Sequence, residues 1–119
     1  GDLVTRWGRT VHASTVPLPN YPRPQLVRAE ASWQNLNGLW QYEPGVSAAD
    51  PAALGRKLSK SVLVPFPVES CLSGVGTTAQ FMHYRRQFVL TPRQQQLCSA
   101  AVGVRVLLHF GAVDWNATV

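Results

Sequence analysis

Cysteine, charge and long apolar runs are all scarce in this sequence, and each shortage closes off a class of protein. Two cysteines, Cys71 and Cys98, are too few for a disulfide framework, so buried free thiols are expected. Cys71, His83, Cys98 and His109 follow one another at separations of 12, 15 and 11 residues, without the close ligand pairs of structural zinc. No metal site and no cofactor are therefore expected. No stretch approaches the ~18 consecutive apolar residues of a spanning helix, which argues against a membrane partner. Residues Gly1 to Thr10 hold neither an initiator Met nor an apolar signal core, so localisation is not legible. Charged residues make up 14% of the 119 positions, and eleven Lys and Arg against six Asp and Glu leave a formal charge of +5. Those cations are scattered, with Arg56, Lys57 and Lys60, then Arg85 and Arg86, as the local groups. A phosphate-tracking surface concentrates its cations on one face, so nucleic acid is not the expected partner. Nine glycines and nine prolines without a fixed period exclude collagen and low-complexity classes, and indicate the many turns of an all-β chain.

Hydrophobic patterning supports that class. Pro17, Pro19, Pro22 and Pro24 predict an extended, polyproline-like arm laid along the protein's own surface. Asn37-Gly38 supplies a pair suited to a tight turn, after which Leu39 to Glu43 reads as a strand. Trp40 is assigned to the core beside Leu36 or Leu39, whereas Trp33 suits either core packing or stacking on a sugar ring. Asp50-Pro51 reads as an N-cap with proline at the first helical position, predicting one helical turn through Leu54. Ser61 to Val64 resumes a β pattern that Pro65 and Pro67 end. Residues 65–82 form a connection long enough to be a working loop. His83 to Leu90 alternates, with Tyr84, Arg86, Phe88 and Leu90 on one face, so Arg86 needs an edge position or a partner. A polar loop is expected over Thr91 to Gln96. Val102 to Phe110 reads as a strand buried on both faces, and Asp114 to Val119 as the start of another.

Four segments, in order, carry a family resemblance: Y-P-R-P-Q-L-V-R at 21–28, W-Q-N-L-N-G-L-W at 33–40, V-P-F-P-V-E-S-C-L-S-G-V at 64–75, and R-V-L-L-H-F-G-A-V-D-W-N-A-T-V at 105–119. Together they resemble the N-terminal sugar-binding domain of glycoside hydrolase family 2, the family of β-galactosidases and β-glucuronidases. Y-R-R-Q-F at 84–88 is similar to the strand that family places between the last two. The resemblance implies a jelly-roll-like, galactose-binding-domain-like β-sandwich over 21–119, incomplete at its C-terminus, preceded by an extended arm over 1–20. It further implies an immunoglobulin-like domain and a catalytic (β/α)8 barrel downstream in the same chain. Members hydrolyse β-linked galactosides, glucuronides or mannosides with two glutamates at the top of the barrel. Cys71, where a small residue such as Ala is expected, and residues 76–82 depart from the family pattern.

No catalytic residue is carried over to this chain, because the motifs around those glutamates are absent. Glu30, Glu43 and Glu69 read as solvated or turn carboxylates. The candidate substrate-binding residues are Glu69 and Ser70, whose oxygens suit hydroxyl groups, and Trp33. The 65–82 loop carrying the first two is expected to face the neighbouring barrel and wall its sugar pocket. The function expected is that of a non-catalytic sugar-binding and scaffold domain of a family 2 glycosidase, inactive by itself. One alternative is a stand-alone carbohydrate-binding module without hydrolase activity. Another is an interaction fragment whose proline-rich arm recruits an SH3-type partner. Asn116-Ala117-Thr118 forms a glycosylation sequon, but its place in an apparent strand argues against occupancy.

Overall fold

A computed structural model describes residues 4–19, 33–100 and 103–119. The chain divides into two compact units, one of Gly1–Pro19 with Asn35–Phe88 and the other of Asn20–Gln34 with Val89–Val119. Segment 21–28 of the family pattern, with Glu30, lies outside the described residues.

The first unit is built on a three-stranded antiparallel sheet, β1 (Gly38–Gly45), β2 (Lys60–Val64) and β3 (Phe81–Arg85), in the order β2-β1-β3. Trp40 lies opposite Val62 and Tyr42 opposite Tyr84. Successive side chains of a strand point to opposite faces, so the even-numbered positions of β1 turn Trp40 and Tyr42 to one side. There Tyr42, Val62 and Val68, each no more than 2% exposed, form the core, with Trp40, Val64, Val75 and Met82 packed against it. Burial of a side chain the size of valine stabilises by about 1.5–3 kcal/mol. Pro44 is tolerated within the central strand because β1 pairs with β2 only as far as Tyr42, beyond which β3 is its single neighbour. A proline fits where one side of the strand needs no ladder hydrogen bond.

Strands are thus found where Leu39–Glu43 and Ser61–Val64 predict them, and Trp40 packs on the core as expected. Other expectations are corrected. β3 begins at Phe81 and ends at Arg85, so 86–90 does not continue the strand. The described part of the arm, 4–19, is not simply extended: it holds a 3-10 turn at Gly8–Thr10. Asn35 Nδ2 and Asn37 Nδ2 bind it to its own unit through the Pro19 and Pro17 carbonyls, at 2.9 and 3.2 Å.

In the second unit the polar stretch after Thr91 is helix α1 (Pro92–Ala100) instead of a loop. Thr91 Oγ1 accepts from the Gln94 amide at 3.2 Å while Gln94 Oε1 accepts from the Thr91 amide at 2.9 Å. This is a reciprocal capping box with proline at the first helical position. The run after Val102, predicted as a doubly buried strand, is coil. Val106, Leu107, Leu108 and Phe110 are 47–62% exposed. A buried strand needs neighbours for its amides and layers for its faces, and the described residues of this unit contain no other strand. Residues 114–119 are likewise exposed coil, so Asn116 does not sit in a strand.

Candidate functional site

The odd-numbered positions of β1 face away from the core and gather polar groups. Gln41 lies opposite Arg85 and Glu43 opposite His83. Gln41 Oε1 accepts from Arg85 Nη1 at 3.2 Å and from the Leu58 amide at 3.0 Å. Leu58, 3% exposed, is thereby drawn down from the excursion that joins β1 to β2. Glu43 pairs with Arg56 of the same excursion, and that hydrogen bond, foremost, holds its carboxyl below the usual carboxylate range.

Asp50 completes the group. Its Oδ2 accepts from the Val46 amide and its Oδ1 from Ser47 Oγ at 3.0 Å, while His83 Nε2 stands 3.6 Å from Oδ2. Backbone donation from Val46 and then Ser47 leads the causes that lower the Asp50 pKa. The helical turn expected after Asp50 does not form among 51–53. The carboxylate closes a turn with residues before it, and so does not cap amides after it.

The sequence-derived candidates are placed as follows. Glu69 is exposed in the turn between Val68 and Ser70. Its charge, after burial, raises the hydroxyl pKa of Tyr42, and it contributes to the same shift in Tyr84. Ser70 caps the 3-10 turn Cys71–Ser73: its Oγ accepts from the Leu72 amide at 3.2 Å, and Gly74 closes the turn in the left-handed region at φ 79°. Its hydroxyl proton is left to donate. Glu69 and Ser70 are neighbours in the first unit. Trp33 belongs to the second, where its half-buried ring lies 5.8 Å from that of His109 at a 43° tilt.

Phe66 and Leu72 of loop 65–82 border an open surface hollow. An open hollow of about 420 Å3 is walled by Trp7, Thr10, His12, Val16, Phe66 and Leu72. A second, of about 440 Å3, lies over Leu39 and Leu63 beside His12, Cys71 and Leu72. Glu69 and Ser70 line neither. Trp7 is 67% exposed and carries the Arg6 guanidinium 4.1 Å above its ring. Cys71 is exposed and Cys98 partly exposed, both as free thiols, in place of the buried thiols expected. Among the described residues, no group of three or more His, Cys, Asp and Glu is arranged to hold a metal ion.

Glycoside hydrolysis needs two carboxyl groups about 5 to 9.5 Å apart across one bond. Glu43 projects to the polar face and is committed to Arg56, whereas Glu69 acts on the two tyrosines of the core face. These two glutamates do not converge. The polar cluster of Glu43, Asp50, Arg56 and His83 escaped the sequence reading, and the available signal was the two-residue period that aligns Glu43 with His83. No protein-family model matches the chain, and no curated protein matches it.

Proposed function

We propose that this chain is the front part of the non-catalytic sugar-binding domain of a family 2 glycoside hydrolase. The carrying observation is that separated segments of the family-like pattern meet in one antiparallel sheet. G-L-W begins β1, V-P-F-P leaves the end of β2, and Tyr84 and Arg85 close β3, with Gly38 opposite Val64 and Tyr42 opposite Tyr84. The sheet is one layer of a jelly-roll-like sandwich. The divergent faces of Glu43 and Glu69 support a scaffold role, with acid/base and nucleophile coming from a downstream barrel. Loop 65–82, stiffened at its start by Pro65 and Pro67, presents Glu69 and the free Ser70 proton to the sugar.

The test is kinetic, on the parent protein encoded by the extended reading frame. It is expected to hydrolyse one or more nitrophenyl β-glycosides with retention of configuration. A parent that binds galactosides or glucuronides without turnover would establish the stand-alone carbohydrate-binding module instead.

A further inference from the structure

The excursion from 46 to 59 is fastened to the polar face of the sheet at three places. Asp50 meets His83, Arg56 meets Glu43, and the Leu58 amide meets Gln41. The first contact is built closely. Gly45 lies directly beneath it, and a Cβ there would stand 2.9 Å from Asp50 Oδ2 and 3.3 Å from His83 Nε2. The absence of a side chain at 45 is what lets carboxylate and imidazole meet over the strand. Both side chains are about one-fifth exposed, at 22% and 19%.

We propose that Asp50 and His83 form a pH-responsive latch, which clamps the 46–50 turn onto β3 when the imidazole is charged and releases it when the imidazole is neutral. Histidine is the side chain whose charge ordinarily changes between about pH 5 and 8. The groups facing it are Asp50 and Arg56 from the excursion, Glu43 from β1 and Arg85 two residues along β3. Arg56 is engaged by Glu43 and Arg85 by Gln41, and Asp50, at 3.6 Å, is the anion in direct contact with the imidazole, which the Glu43 charge also reaches.

The sign follows from the two charges. The attraction is present while His83 carries its proton and is lost when it does not. On the acid side it is lost only when Asp50 takes a proton, which its lowered pKa delays. The latch is therefore closed in mildly acid solution and open in alkaline solution. Opening frees the 46–50 turn from Gly45 and His83, while Arg56 and Leu58 remain fastened to Glu43 and Gln41. This inference is independent of the sugar-binding reading.

Amide hydrogen exchange on the 119-residue chain tests it, with protection at Val46 compared between about pH 5.5 and pH 8 after correction for intrinsic rates. Protection is expected to fall about two- to fivefold on raising the pH, the size a partly exposed ion pair supports. Amides within β1 and β2 should keep theirs, which separates local opening from global unfolding. His83→Lys, whose charge persists, should hold Val46 protected at the higher pH, and His83→Gln should leave it weakly protected at both. Protection at Val46 that does not change with pH in the unmodified chain overturns the latch. So does a pH response that survives intact in His83→Gln.

Discussion

The guanidinium of Arg86 lies against Gly38, with Nη1 donating to the Asn37 and Leu39 carbonyls at 3.2 and 3.4 Å and standing 3.1 Å from where a Gly38 Cβ would be. This contact fixes the start of β1 and answers the expectation that Arg86 has a partner. Gly38 has φ 123°, where an L side chain is strained. Gly38→Ala should cost about 1–3 kcal/mol from backbone strain. Arg86→Ala, which removes two charge-assisted bonds, should cost about 1.5–3 kcal/mol. Urea unfolding of each variant gives both numbers.

Core substitutions should have the largest effects on stability. Tyr42, 1% exposed, is central to the cluster with Val62 and Val68, and Tyr42→Ala should destabilise by about 3–5 kcal/mol. Trp40 is half-buried and donates Nε1–H to the Leu36 carbonyl at 2.8 Å. Trp40→Phe should forfeit about 1 kcal/mol for that bond. In the parent protein Trp40→Ala should lower the melting temperature before it alters sugar affinity. A stable variant with selectively weakened sugar binding would assign Trp40 to the ligand.

Stability should bend at both ends of the pH scale. Asp50 and Glu43 have lowered pKa values in the folded chain. Their contribution is present above the ordinary carboxylate range, near pH 4, and is lost as pH falls through their folded values. Tyr42 and Tyr84 are raised, chiefly by burial. Their contribution is present below about pH 10 and is lost as pH rises through the folded values. Melting temperatures taken across the range should show both losses. Glu43→Gln with Asp50→Asn should flatten the acid limb alone, and ultraviolet titration should show two tyrosines ionising late.

Much of the sheet was legible because its signals are local and periodic. Asn37-Gly38, the alternation of Trp40 and Tyr42, and the prolines that stop β2 each act within a few residues. Helix α1 was equally local, since Thr91-Pro92-Arg93-Gln94 is a capping box followed by helix formers, yet three consecutive glutamines read as a polar loop. Val102–Phe110 was misread for the opposite reason: a strand's pairing is not encoded within the strand, and apolar character alone does not supply a neighbour. The Asp50–His83 contact spans 33 positions in sequence and depends on the register of Glu43 with His83 and on the bare Gly45. Only the folded sheet brings these groups together. Glu69 and Ser70 are adjacent in the sequence, and the residues of their loop that border the hollow are Phe66 and Leu72.

If Glu69 contacts sugar in the proposed family 2 parent, Glu69→Ala there should lower kcat/KM roughly tenfold or more, the cost of a lost hydrogen bond to a charged group. Because the residue is exposed, the melting temperature should hardly move. Unchanged kinetics with a lowered melting temperature would make Glu69 a turn residue only.

The most direct measurement sets the purified 119-residue chain beside its parent protein on nitrophenyl β-galactoside, β-glucuronide and β-mannoside. Glu30→Gln, Glu43→Gln and Glu69→Gln are made in both. Turnover by the parent, retained in all three variants though weakened at Glu69, with none by the chain, is the expected result, because the proposed function places the two carboxyl groups that hydrolysis requires in a downstream barrel. Turnover by the chain that disappears when one of its own glutamates is changed would contradict the account.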